Sequence, residues 1–239
     1  MEKHKAKNLW SISEDSSIWT IHGLWPSKHG TNGPSNCKSE ENFNIEKLQS
    51  ILEDLKQFWP DVLNNSDPSL FWKHEWDKHG KCATEIDAIE NQLDYFKKGL
   101  ELSWIHPIEK YLKTFGITPG DSYSADTILN SILAQTGFQA AIQCDKFEGK
   151  FVLREIRICF DKNFETLSCE NIYQGIYGLC PREGLIFYPK DLTNTSNGRM
   201  NSLTIFQNIN SFLLRLYCRN IFWNLCFHRI HNFSIFYHL

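Results

Sequence analysis

Near Gln139 the hydrophobic pattern of this 239-residue chain changes period, and that change limits the fold more than any other feature. Upstream, apolar residues recur at helical spacing. Leu48, Ile51, Leu52, Leu55 and Phe58 form one stripe between Phe43 and Trp59, with Pro60 just past its end. Further helices are expected over Ile86 to Leu102, Ile105 to Phe115 and Ala125 to Gln135, the last two stopping before Gly116 and Gly137. Downstream, Phe151 to Phe160 alternates as a strand does, and Leu185 to Tyr188 reads as a short later strand. Helices followed by strands place the chain in the α+β class. The last stretch, 191–239, mixes aromatics, Ile, Leu and Asn without a period, and no structural role is assigned to it.

An apolar content of 41% with 14% aromatics supports a packed core and excludes a disordered chain. The net charge of −3 and pI near 6.3 argue against a protein that grips long nucleic acid through a basic surface, so any nucleic-acid substrate should be held locally. Eight cysteines, Cys37, Cys82, Cys144, Cys159, Cys169, Cys180, Cys218 and Cys226, lack the Cys-x-x-Cys spacing of zinc ribbons and redox motifs. Disulfides are the better reading, and with them an oxidising compartment. Against this, Met1 to Lys7 is charged with no apolar run after it, so no secretory signal peptide is read there. Asn64-Asn65-Ser66, Asn194-Thr195-Ser196 and Asn232-Phe233-Ser234 fit the N-glycosylation pattern. No membrane span is expected, because the most apolar window, Leu203 to Phe227, carries Arg215 and Arg219.

Phe71-Trp72-Lys73-His74-Glu75-Trp76-Asp77-Lys78-His79-Gly80-Lys81-Cys82 gathers two histidines, a carboxylate and a lysine within six residues. Asp67-Pro68 supplies a cap followed by proline at the first helical position, and Gly80 sits where a C-terminal cap belongs, so a helix from about Pro68 to His79 is expected. At about 100° per residue, His74, Glu75, Lys78 and His79 then fall within an arc of about 140°. Glu75 with His79, and His74 with Lys78, are i,i+4 neighbours. Trp76 lies on the opposite face and is expected to pack inward. Upstream, His22-Gly23-Leu24-Trp25-Pro26 supplies another histidine motif.

Two imidazoles with ordinary pKa values near 6.5 can be poised in opposite protonation states, which suits concerted proton removal and donation. RNA carries its own nucleophile, the 2′-hydroxyl, so cleaving it takes a base, an acid and positive groups around the phosphorane. His79 and His22 fit base and acid, Lys78 and His74 fit the phosphate, and Glu75 could orient or tune an imidazole. Trp25, Phe71 and Trp72 offer faces for stacking unpaired bases, a contact worth about 1–3 kcal/mol per base. Each motif alone has a blander reading, a turn leading into core aromatics or a solvated charged face. Their joint presence favours a site. His4, His29, His106 and the histidines of the C-terminal stretch have no comparable neighbourhood and are read as incidental. His74-Glu75 followed by His79 superficially resembles the zinc motif His-Glu-x-x-His, but i,i+5 spacing turns the second histidine about 140° from the first, so no metal is expected.

Trp19-Thr20-Ile21-His22-Gly23-Leu24-Trp25-Pro26 and the Phe71 to Cys82 segment resemble the two active-site segments of the ribonuclease T2 family, most closely its animal members, over roughly Ser17 to Pro189. The resemblance implies an α+β fold, an antiparallel β-sheet packed with several α-helices. It implies cofactor-free and metal-free transesterification of single-stranded RNA to 2′,3′-cyclic phosphate ends by a monomer. It further implies His22 as general acid, His79 as general base, Glu75 and Lys78 stabilising the transition state, and His74 binding phosphate. Disulfides Cys37–Cys82, Cys144–Cys180 and Cys159–Cys169 are implied, leaving Cys218 and Cys226 unassigned, in a secreted or lysosomal glycoprotein. Family members open with a sheet strand before the first motif. Here residues 1–16 form an atypical start, so that first strand is expected to be missing from a domain spanning 17–190, with 191–239 unassigned. The alternative is a catalytically inactive RNA-binding or secreted signalling descendant.

Overall fold

In the computed structural model, residues 19–31, 33–61, 67–190 and 232–238 are described. In chain order the elements are β1 (Thr20–Ser27), a 3-10 segment (Ile45–Ile51) running into α1 (Leu52–Phe58), α2 (Ser69–Glu75), a π-helical turn (Trp76–Gly80), α3 (Lys81–Ala83), α4 (Gln92–Ile105), α5 (Ile108–Thr114), β2 (Ser122–Tyr123), α6 (Ala125–Thr136), β3 (Ala141–Phe147), β4 (Lys150–Asp161), β5 (Thr166–Leu167), β6 (Ile186–Phe187) and β7 (Asn232–His238). The α+β reading holds, and the helix of 125–135 and the strand of 151–160 fall where the pattern put them. Ser124 caps α6 by accepting from the Thr127 amide, and Gly137 closes it in the left-handed conformation that glycine adopts without strain. Helix α4 starts later than Ile86 because the Asn91 side chain accepts the Leu93 and Asp94 amides and fixes the first turn there.

The sheet runs β1-β7-β4-β6-β2, with β3 and β5 also paired to β4. Pairing is antiparallel except between β4 and β6, so the sheet is mixed rather than purely antiparallel. Its centre departs furthest from the sequence reading. Strand β7, from the stretch given no role, lies between β1 and β4, with Ile235 opposite Leu24 on one side and Ile158 on the other. A strand from the C-terminal end thus fills a central position of the sheet that the resemblance left short of one strand. Phe233, Ile235, Phe236 and Tyr237 are all buried, so β7 is covered on both faces and shows no period of two. The Asn232 glycosylation pattern therefore sits at the start of a central strand, with Ser234 fully buried. Asn64, Asn194, Cys218 and Cys226 lie outside the described residues.

All three expected disulfides are formed: Cys37–Cys82, Cys144–Cys180 and Cys159–Cys169. Between the helices and β1, Trp59, Trp72, Trp76, Tyr95 and Phe96 make a nearly water-free aromatic core. That core fixes how the site's strand sits, because its polar edges bond β1. The Tyr95 hydroxyl donates to the Leu24 carbonyl at 2.9 Å and the Trp59 indole to the His22 carbonyl at 2.9 Å. Two β1 carbonyls are thereby satisfied by side chains of the helical layer.

Candidate active site

His22 is the extra residue of a β-bulge: Ile21 pairs with Tyr237 and Gly23 with Phe236, so His22 has no partner of its own in β7. A bulge turns the strand locally and re-aims one side chain. The His22 Nδ1 lies 3.1 Å from Glu155 Oε2 on β4. Since a carboxylate only accepts, Nδ1 carries the hydrogen and Nε2 is left for chemistry. Gly23 is needed beside it, because a Cβ there would run into the Trp25 indole nitrogen and the Glu75 carboxylate.

The helical segment also departs from the expected regular helix to His79. After Glu75 the backbone widens into a π turn over Trp76–Gly80 and continues into α3, and Gly80 is an ordinary right-handed helical residue rather than a cap. Gly80 is glycine for packing: a Cβ would strike the Trp76 ring. Widened turns of this kind often mark functional sites. Here Glu75, Trp76 and His79 are all buried, as was expected for Trp76, while His74 stays on the outer side. The Cys37–Cys82 bridge ties the end of this segment to the loop after β1.

Trp25 joins the two halves. Its ring is sandwiched between His79 (centroids 4.3 Å apart, 12° between planes) and Phe236 (3.9 Å, 35°), and it meets His22 edge-on at 5.1 Å. Its indole N–H donates to Glu75 Oε2 at 2.8 Å. Lys78 Nζ stands 5.8 Å from the same ring and has no carboxylate ion-pair partner among the described residues. Lys73 and Lys81 are both held by Asp77, which leaves Lys78 as the helix's uncommitted cation.

Burial sets the charge states. Glu75, 1% exposed, is pushed up to about 7 by desolvation against the pull of His22, Trp25 and Lys78. His79, 4% exposed with no hydrogen-bond partner for either ring nitrogen among the described residues, is pushed down to about 2 by burial and then by the charges of Lys78, His74 and His22. His74 is lowered by burial and Lys78. Glu155 is the exception: burial raises it, but Arg157, whose Nε donates to Oε1 at 2.6 Å, and His22 overcome that and hold it near 2.

His22, Glu75, His79, Lys78 and His74 are thus brought to one place. The stacking residues divide. Trp72 is 1% exposed and donates its indole N–H to the Trp59 carbonyl at 2.7 Å, so it offers no face to a base and instead supports the ring that bonds His22. Trp25 has both faces covered. Phe71, partly exposed and nearly parallel to His22 at 6.3 Å, keeps an accessible ring. Sequence reasoning missed Glu155, Arg157 and His238. The signal for the first two was a carboxylate and arginines in mid-strand. His238, read as incidental, stacks on His22 at 5.2 Å with 15° between planes.

This α+β fold, with two histidines, a lysine and a buried carboxylate brought together, has its relatives among proteins named ribonucleases. The family model described as "Ribonuclease T2 family" matches residues 2–169. Ribonuclease Oy of Magallana gigas is 38% identical over 177 residues, covering 72% of this chain and 83% of that protein. The match to Ribonuclease T2-A of Mus musculus, 35% identical, spans 63% of that protein's length. The crystal structure of human RNase T2 superposes with a TM-score of 0.64 at 32% identity, covering 74% of this chain and 86% of that one. A mutant of RNase MC1 in complex with 5′-UMP gives 0.58 at 30% identity, covering 63% and 77%. The chain belongs to the ribonuclease T2 family.

Proposed function

We propose that this protein cleaves single-stranded RNA by transesterification to 2′,3′-cyclic phosphate ends, with His79 as general base and His22 as general acid. One observation carries the reading: two imidazoles contact the same indole, one with its Nδ1 committed to a buried carboxylate and the other with both nitrogens unpartnered. The first is oriented to give a proton through Nε2, and the second is kept neutral to take one. A bound phosphodiester would bring an anion beside His79 and draw its pKa back toward the working pH. Lys78 supplies positive charge for that phosphate, and His74 a ring N–H to donate to it. Glu75, neutral below about pH 7, can donate a hydrogen bond to a phosphoryl oxygen in acid, where a carboxylate would repel it. Phe71 is the ring left to stack a base.

The RNase MC1 complex with 5′-UMP supports a nucleotide as the ligand of this fold. Three disulfides support an oxidising, extracellular or lysosomal setting. No helix among the described residues is long and apolar enough to cross a membrane. The test is cleavage of single-stranded RNA at about pH 5 with chelator present. Cyclic-phosphate products that disappear in both His22→Ala and His79→Ala are expected. Cleavage that either variant leaves intact would refute the two-histidine assignment, and a folded but inert chain would favour the non-catalytic reading.

A further inference from the structure

Among the described residues, β1 pairs with no strand but β7, so the strand carrying His22 joins the sheet only through the last residues of the chain. Strand β7 also reaches into the site with two side chains. The Phe236 ring lies between the Trp25 ring, 3.9 Å away, and the Arg157 guanidinium, 4.7 Å away. The His238 ring lies nearly parallel to His22. His238 sits in register between Thr20 on β1 and Glu155 on β4, which places it against the His22–Glu155 contact.

We propose that β7 completes the acid half of the site, with His238 as a positioning residue whose ring holds the His22 imidazole in its Glu155-bonded orientation. This rests on the reading of His22 as general acid. Two features carry it. First, His22 has no pairing partner in β7, and its imidazole is held otherwise by one hydrogen bond and by rings: Phe71 and His238 nearly parallel, Trp25 and Phe236 edge-on. An imidazole held at its Nδ1 alone can swing about that bond, and a misplacement of about 1 Å can cost on the order of 100-fold in rate. Second, the His238 Nε2 is buried with no hydrogen-bond partner among the described residues, so that nitrogen does not hold the side chain in place, whereas the ring lies against His22. Burial also keeps His238 neutral, lowered to about 3, so it stacks on His22 without adding a second positive charge.

The test compares the full-length chain with His238→Ala, His238→Leu and His238→Phe, each checked for a cooperative melt, by kcat and KM on a short single-stranded RNA. The ring-less variants are expected to lose tenfold or more in kcat with KM changed less than threefold. His238→Phe, which keeps the stack and removes the orphaned nitrogen, is expected to restore most of kcat. Ring-less variants that keep full kcat, or lose only KM, would overturn the proposal. So would a folded His238→Phe as impaired as His238→Ala, since the nitrogen would then act on the substrate itself. Should neither ring-less variant fold, His238→Phe decides alone: retained kcat supports the stack and a tenfold loss overturns it. Cleavage indifferent to His22→Ala would overturn both this proposal and the reading it rests on, whereas cleavage that needs His22 but not a ring at position 238 overturns this one only.

Discussion

Removing β7 should unfold the sheet around the site. The perturbation is a chain ending at residue 231, compared with a full-length Ile235→Asp chain. Phe233, Ile235, Phe236 and Tyr237 are each no more than 3% exposed. Burying such side chains is worth about 1.5–3 kcal/mol apiece, so these four contribute about 6–12 kcal/mol before any hydrogen bond is counted. The ladders to β1 and β4 run the whole length of β7 on both sides, and their loss would leave β4 and β1 with unpaired backbone groups facing an empty slot. Against a typical domain stability of about 5–15 kcal/mol, that deficit is decisive. Ile235→Asp tests the same slot at full chain length, since it puts an unpaired charge between Leu24 and Ile158. Circular dichroism should show loss of the cooperative melt in both chains, together with loss of RNA cleavage. A synthetic peptide of residues 232–239 should restore both in the truncated chain. A truncated chain melting sharply within a few degrees of the full one would refute the reasoning, because β1 would then have a stable place without β7.

Two further changes probe the site's packing and its charge. Gly23→Ala should break the Trp25–Glu75 hydrogen bond, since the new methyl meets both partners. Overpacking and the lost bond to a carboxyl together should cost about 2–5 kcal/mol, read as a lower melting temperature with kcat reduced more than tenfold; an unchanged melt would show that the indole can shift at no cost. Glu155→Gln removes a carboxylate whose folded pKa, about 2, lies below its ordinary 4.5. A group depressed in this way stabilises the fold above about pH 4.5 and loses that contribution as pH falls through 2, so at neutral pH the substitution should cost about 3 kcal/mol. Equal melting temperatures for the two chains at pH 7 would mean that Glu155 is not ion-paired in solution.

How much of this could be read from the chain depends on where each element finds its partners. The helix carrying Glu75 and His79 was legible because i,i+4 spacing and an Asp-Pro start are local signals. Its π turn was not, since Gly80 imitates a helix cap and only the Trp76 and Tyr95 rings around it show why glycine is required. Strand β4 alternates and was legible, yet the same alternation hid Glu155, which looks solvent-facing but is buried under Arg157 and His22. Composition cannot separate a ring that stacks a base from one that bonds a carbonyl, so Trp72 was misplaced while Trp76 was not. Strand β7 was illegible for two reasons. Both its faces are buried, which erases the period of two, and its partner β1 lies more than 200 residues upstream.

The same burial that tunes the site should make the empty protein acid-sensitive. His79, His106 and His238 are all buried, with folded pKa values of about 2, 4 and 3, below the ordinary 6.5. Histidines depressed on folding leave stability intact above pH 6.5 and remove it as pH falls toward the folded value, because only the unfolded chain takes up the proton. At pH 5 each costs about 2 kcal/mol, about 6 kcal/mol in all. Glu75 works the other way. Its folded pKa of about 7 lies above 4.5, so its penalty is present at pH 7 and relieved as pH falls, returning about 2 kcal/mol by pH 5. Glu155 is still ionised there and changes little. The balance is a loss of about 4 kcal/mol between pH 7 and pH 5, a large share of a domain's stability. The melting temperature of the free protein should therefore fall over that interval. Added 5′-UMP should recover part of the loss at pH 5 and less at pH 7, because a phosphate beside His79 makes the protonated ring tolerable. A melting temperature that rises or stays flat on acidification would mean that these histidines charge near pH 6.5 in the folded chain, and the argument for a buried, neutral base at position 79 would fail with it.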